Sequence, residues 1–166
     1  MDDVDHGAYQ RLPTKKDQVL NEFRNFSNEH LCNYSKSRNF DMGHPHANVS
    51  KLSPYLRRRL VSENEVLQIA LEKNSISSLE KFIQEIFWRT YWRGWLELRP
   101  DVYEDYENGY DGSHLPDKTG IKCFDHWTEE LIETGYLHNH ARMWYASIWI
   151  FTLGKSWVSG ANFFKD

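Results

Sequence analysis

The amino-acid sequence predicts an all-α fold, a multi-helix bundle, on three observations. Apolar residues recur at helical spacing in several separate stretches, no stretch of strand length alternates apolar with polar residues, and Pro100, Gly135 and Gly154 punctuate the periodic stretches. Residues 1–13 are polar and unpatterned and are expected as a flexible leader, ahead of one helical domain over 14–166. From Thr14 onward Val19, Leu20, Phe23, Phe26, His30 and Leu31 fall on one helical face. Asn39 to Asn48, with Gly43 and Pro45, reads as a loop. Ser53-Pro54 predicts a helix start, since Ser can cap and Pro tolerates the first helical position. Ser62-x-x-Glu65 and Ser77-x-x-Glu80 are capping-box patterns. The helix after the second is predicted to run from Leu79 to Arg99, where Pro100 stops it. Residues 101–122 are acidic, rich in Tyr and Gly and aperiodic, which predicts a surface loop. Helices are then expected over 124–134, 137–153 and from Trp157 to the end.

A chain of 166 residues can bury a single sizeable core. Seven Trp, nine Tyr and nine Phe suit such a core or a site that stacks flat rings. The net charge of -4 supplies no global basic field, so a nucleic-acid site has to be a local patch. Cys32 and Cys123 are isolated and far apart, fitting neither a metal knuckle nor a disulfide scaffold. No apolar run approaches the ~20 residues of a membrane span, and no signal peptide opens the chain, so a soluble, cytoplasmic protein is expected. His44-x-His46 and His138-x-His140 invite a metal reading, but residues two apart on a helix diverge and no acidic or Cys partners stand at ligand spacing. No metal is expected.

Four strings carry chemistry. In Thr134-Gly135-Tyr136-Leu137-His138-Asn139-His140-Ala141-Arg142-Met143 a glycine ends one helix and a second opens with His, Asn and Arg on its first turns, where unpaired N–H groups favour an electron-rich ligand. In Phe82-Ile83-Gln84-Glu85-Ile86-Phe87-Trp88-Arg89, Glu85 and Arg89 stand four apart and read on their own as an exposed ion pair. Val49-Ser50-Lys51-Leu52-Ser53-Pro54 places hydroxyls before a helix start, suited to phosphate or simply to capping. Tyr34-Ser35-Lys36-Ser37-Arg38-Asn39-Phe40 offers a phenol and a guanidinium. Arg57, Arg58 and Arg59 cannot share one helix face, so most are expected to face solvent. Trp144, Trp149 and Trp157 read as packing aromatics.

Together these strings resemble the DNA photolyase/cryptochrome family, in the helical domain that folds around FAD. The first resembles the family's TGW-[ML]-HN-x-x-RM, with Tyr136 in place of Trp and His140 where Arg is frequent. The others resemble W-x-[NQ]-E-[LI]-x-WR-[ED]-[FY], T-S-x-LS-P-x-L and Y-x-x-x-R-[DN]-F, with Phe82, Thr90 and Val49 as departures; Lys155-Ser156-Trp157-Val158-Ser159-Gly160 is similar to [DS]-W-x-x-G. The resemblance implies that Tyr34, Ser50, Leu52 (through its backbone) and Ser53 hold the phosphates of a bent FAD, and that Glu85, Arg89, Asn139 and Arg142 surround the rest. It further implies that Glu85, Trp88, Asn139 and Met143 face a flipped-out pyrimidine dimer, that Arg38, Trp88 and His140 contact UV-damaged DNA, and that Trp157 relays electrons to the flavin. Glu85, Asn139, Met143 and Trp157 are therefore the candidate catalytic positions.

The implied activity is light-driven repair of cyclobutane pyrimidine dimers, with a cryptochrome-like signalling module as the alternative and a decayed helical protein as a third reading. The family continues with a D-x-D…N…W segment that completes the flavin site. A chain ending at Asp166 is therefore expected to be a partial domain, with a complementing C-terminal fragment as a possible partner.

Overall fold

Val19, Phe23 and Phe26 recur on one face of α1 (Lys16–Glu29), and burying that face sets up the first of two apolar cores. The computed structural model describes residues 12–110, 112 and 118–165. The expected leader lies outside these residues except for Leu12 and Pro13, and Leu12 packs on the first core. The described residues form nine α-helices and no strand.

After α1 a single 3-10 turn (Leu31–Asn33) leads into α2 (Tyr34–Ser37), and a loop that includes 39–52 follows. Next come α3 (Ser53–Arg57) and α4 (Glu63–Leu71). The capping box of α4 forms as the sequence predicts: the Ser62 hydroxyl accepts from the Glu65 N–H at 3.3 Å, and the Ser62 N–H donates to the Glu65 carboxylate at 3.0 Å. The first core collects Phe23, Leu31, Leu56, Val61, Val66, Leu79 and Phe82, with Phe23 and Phe82 stacked at 5.8 Å.

Four local expectations change. Ser53 does not cap α3; it is the first helical residue, and the N-cap is Leu52 with no side-chain bond. Ser77 likewise caps nothing, because Ser75 and Ser78 close their own hydroxyl-bonded turn and α5 (Glu80–Glu97) starts only after it, with Leu79 as an uncapped entry. Pro100 ends α5 but also opens α6 (Pro100–Asn108), so the supposed loop over 101–122 begins as a helix: a proline's missing N–H is costless at a helix start, and Asp101 complements the dipole there. Finally, the stretch 137–153 is divided. Gly135 closes α7 (Lys122–Thr134) in the left-handed conformation (φ 68°), α8 (Asn139–Ser147) follows a three-residue link, and Ile148–Thr152 winds as a π-helix.

The second core holds Phe124, Leu137, Ala141, Tyr145 and Trp149, joined by Phe163 and Phe164 of α9 (Trp157–Lys165). Tyr145 stacks on Phe124 at 4.1 Å, and its hydroxyl meets that of Thr128 at 3.0 Å. Trp149, in the wide turn, donates its indole N–H to the Ser156 carbonyl at 2.8 Å and lies against Gly160.

The two cores do not merge. The loop between α2 and α3 runs between them and carries polar contacts to both sides. Asn48 donates to the Ser37 and Phe40 carbonyls at 2.8 Å each, Trp127 donates to Asp41 at 3.1 Å, and His46 is hydrogen-bonded to Glu130. No helix among the described residues is long and apolar enough to cross a membrane.

A Cβ on Gly160 would stand 3.0 Å from the Trp149 indole nitrogen. Gly160→Ala is therefore expected to cost about 1–3 kcal/mol through overpacking, read as a lower thermal midpoint by circular dichroism; an unchanged midpoint would mean that α9 and the wide turn are not tightly packed.

Candidate functional site

The gap between the cores is a cleft of about 220 Å³, walled by α2, the Val49–Ser53 loop, α5 and the start of α8. Tyr34, Ser50, Leu52, Ser53, Glu85, Arg89, Asn139 and Arg142 all line it, as do Arg38 and His140. It opens into a wider trough of about 900 Å³ lined by Trp88, Trp92, Met143, Arg57, Arg59 and Arg93. The two share Arg38, Glu85, Arg89, Asn139 and His140, so they form one continuous depression. Trp157 stands apart: it begins α9 on the second core and faces Tyr106 at 6.2 Å.

Helical spacing explains the α5 wall. Phe82, Glu85, Ile86 and Arg89 recur at three- and four-residue intervals, so the stripe that seats Phe82 and Ile86 in the first core also carries Glu85 and Arg89 to the rim. Between Ser50 and Leu52 the chain turns through Lys51 in a left-handed conformation (φ 52°), which costs roughly 1–2 kcal/mol in a non-glycine residue. Neither the Ser50 nor the Ser53 hydroxyl has a hydrogen-bond partner among the described residues. Both are free to meet a ligand.

Charge is distributed unevenly. Glu85 pairs not with Arg89, as its spacing suggests, but with Arg38, and both partners are mostly shielded from solvent. Arg89 and Arg142 have no carboxylate within ion-pair reach among the described residues. Burial lowers the pKa of both; Glu63 opposes this at Arg89, while Arg59, Arg57 and Arg93 reinforce it. Guanidinium groups nevertheless stay protonated. Arg142 is steered by its Nε–H, which donates to the Leu137 carbonyl at 2.8 Å, and its guanidinium lies 5.5 Å from the Tyr136 ring centre. Burial, then the Glu85 carboxylate, push the Tyr34 phenol up to about 12 against the influence of Arg38, so it remains a neutral hydrogen-bond donor. The cleft thus offers cations at Lys51, Arg89 and Arg142 without carboxylate partners among the described residues, together with hydroxyls and ring edges, a donor set matched to an anionic ligand that carries flat rings.

Behind this wall lies a polar seam. His46 and Glu130 are both almost fully buried and bonded to each other, and the Asp41 carboxylate stands 3.5 Å from the other His46 nitrogen. His46 and His138 stack at 6.1 Å, and His138 and His140 at 5.7 Å. Sequence reasoning weighs His46 only as a metal ligand, places His138 and His140 at a helix start and His140 against DNA, and passes over Asp41 and Glu130. Glu130 follows Trp127 by three residues and so flanks the apolar stripe of α7, but a carboxylate there carries no sign of a buried partner. Among the described residues no group of three or more His, Cys, Asp or Glu is placed to hold a metal ion.

No protein-family model matches the chain. Among curated proteins it is similar to a deoxyribodipyrimidine photo-lyase of Streptomyces griseus, 32% identical over 128 residues, which is 71% of this chain and 28% of the relative. A deoxyribodipyrimidine photo-lyase of Alkalihalophilus pseudofirmus is 26% identical over 90% of this chain and 33% of its own length. Cryptochrome DASH of Danio rerio is 28% identical over 81% of this chain and 29% of its own. The chain thus spans about a third of the length of the curated relatives it matches.

Glu130→Leu removes the hydrogen-bond partner of buried His46, and leaving a buried polar group unsatisfied costs about 1–3 kcal/mol. Chemical denaturation should show that loss; a stability within error of the parent would mean that the seam carries no load.

Proposed function

The chain belongs to the DNA photolyase and cryptochrome family, and on that premise we propose that its cleft binds FAD and that the adjoining trough receives UV-damaged DNA for light-driven repair of cyclobutane pyrimidine dimers. The observation that carries this reading is the pair of guanidinium ions, Arg89 and Arg142, facing a cleft that also holds the unbonded hydroxyls of Ser50 and Ser53. A diphosphate meets that demand with charge and acceptors together. A group joining phosphates to two flat ring systems also suits the aromatic walls at Tyr34, Phe82 and Tyr136.

In this reading Tyr34, Ser50, the Leu52 backbone and Ser53 hold the phosphates, while Glu85, Arg89, Asn139 and Arg142 orient the rest. Reduced flavin supplies a photo-excited electron donor when bound. The chain's own part is to fix orientation, hold cations close and keep water out. Glu85, Trp88, Asn139 and Met143 line the trough at the place where an extruded lesion would rest, with Arg38 and His140 beside them. A flavin-binding signalling module without repair activity shares the inner cleft. Arg57, Arg59, Arg89 and Arg93, set against only Glu63 and Glu85, favour the DNA reading of the trough, because they make a local basic patch on a chain of net charge -4. The relay role of Trp157 rests on the family resemblance alone.

Titrating the purified protein with FAD tests the first step through flavin fluorescence quenching. Arg142→Ala is expected to weaken binding by roughly 10- to 100-fold, the equivalent of a lost charged hydrogen bond at about 1.5–3 kcal/mol. Absence of bound flavin, or an unaltered affinity in that variant, would overturn the flavin reading. Loss of dimers from an irradiated oligonucleotide under illumination, set against a dark control, then separates repair from signalling.

A further inference from the structure

His138 holds a position that its neighbours define completely. It is the N-cap of α8, and its Nδ1 accepts a hydrogen bond from the His140 backbone N–H at 3.2 Å. Its Nε2 stands 3.1 Å from the Arg38 backbone carbonyl. An amide N–H can only donate and a carbonyl can only accept, so Nδ1 must be bare and Nε2 must carry the hydrogen. The ring is therefore a neutral imidazole in a single tautomer, with one nitrogen bonded to each wall of the cleft. The Arg38 segment bears the guanidinium that pairs with Glu85, and the other wall bears Asn139, His140 and Arg142.

We propose that His138 is a positioning residue that makes the width of this cleft sensitive to pH, its neutral ring clamping the start of α8 to the Arg38 backbone and its protonation releasing that clamp. A hydrogen on Nδ1 would meet the His140 N–H head-on, donor against donor, and the cap would be lost. The new cation would also face the positive end of the α8 dipole. Serine, threonine or aspartate could cap α8 equally well. Imidazole differs in joining two backbone segments through opposite nitrogens and in titrating near neutrality.

The surroundings set the direction. Asp41 and the Arg38 carbonyl favour the proton, His46 (bonded in turn to Glu130) and His140 oppose it, and burial, the largest influence, holds the His138 pKa below its ordinary value. A depressed histidine pKa means that the unfolded chain takes up the proton more readily than the folded one. The clamp is thus in force at and above the ordinary imidazole value of ~6.5 and is lost only as pH falls further, through the depressed value of the folded chain. The link to ligand binding rests on the flavin reading of the cleft; the clamp itself does not.

The test compares the full chain with His138→Asn, which can still cap but does not titrate, and with His138→Ala. Imidazole 15N shifts at pH 8 should show the Nε2–H tautomer in the parent. The protection factor of the His140 amide, its exchange rate corrected for the base-catalysed slowing at lower pH, should fall in the parent as pH drops through the depressed His138 value and stay level with pH in His138→Asn. FAD affinity should fall in parallel, by about fivefold, the fold-change that corresponds to the ~1 kcal/mol of a lost cap. His138→Ala should show that weakening at every pH. An Nδ1–H tautomer, His140 protection independent of pH in the parent, or the same pH slope in His138→Asn would overturn the clamp. Should FAD fail to bind at any pH, the flavin reading falls by itself, and the exchange and tautomer results still decide the clamp.

Discussion

Buried His46 bonded to buried Glu130 is the contact on which the arrangement of this molecule depends. Each apolar core is built from local helical stripes, α1, α3, α4 and α5 on one side and α7 to α9 on the other. Nothing in that patterning says how the two should face each other. Polar contacts supply the answer, since hydrogen bonds require particular partners at particular distances where apolar contact requires only area. The loop that carries them holds His46 and Lys51 in left-handed backbone conformations (φ 56° and 52°), which only surrounding contacts can sustain. A buried polar contact adds little net stability, because each group gives up water to make it. Here its consequence is orientation.

The cleft exists because the cores stay apart. Had the α5 stripe and the α8 start met through leucines, no space would remain for a ligand. Instead α5 turns Phe82 and Ile86 inward and leaves Glu85 and Arg89 at the edge, while α8 seats Ala141 and Tyr145 in its own core and leaves Asn139, His140 and Arg142 facing them. One residue of offset on a helix thus decides whether a side chain builds the fold or meets a ligand. Sharing elements between core and cleft also means that a packing change in α5 moves the cleft with it.

Most helices and their order were legible in the sequence, because each is a local property, whereas the grouping of Tyr34, Ser50, Glu85 and Arg142 came from the family resemblance alone. Val19, Phe23 and Phe26 announce a stripe, Ser62 and Glu65 announce a start, and Gly135 announces a stop. What was not legible depends on distant partners. Glu85 could be given to Arg89 by spacing, but the structure gives it to Arg38, 47 residues away. Ser77 fits a capping pattern, yet a competing turn at Ser75 takes the hydroxyl groups of that stretch. Pro100 is a stop signal and a start signal at once, and only the helix after it distinguishes the two. His138 carries no periodic or motif signal for its backbone bond to Arg38, one hundred positions back along the chain.

The wide turn at Ile148–Thr152 bears on how this chain tolerates changes in length. Its closing bond runs from the Leu153 N–H to the Ile148 carbonyl, five residues back, so it stores one residue more than an α-turn in the same span. Deleting one residue within α8 would swing everything downstream by about 100° around the axis and misface the aromatic side chains of the second core. Deleting one within the wide turn would instead let it relax to ordinary winding, with both flanking faces kept. Natural variation in chain length should therefore gather at that turn and spare the helix before it.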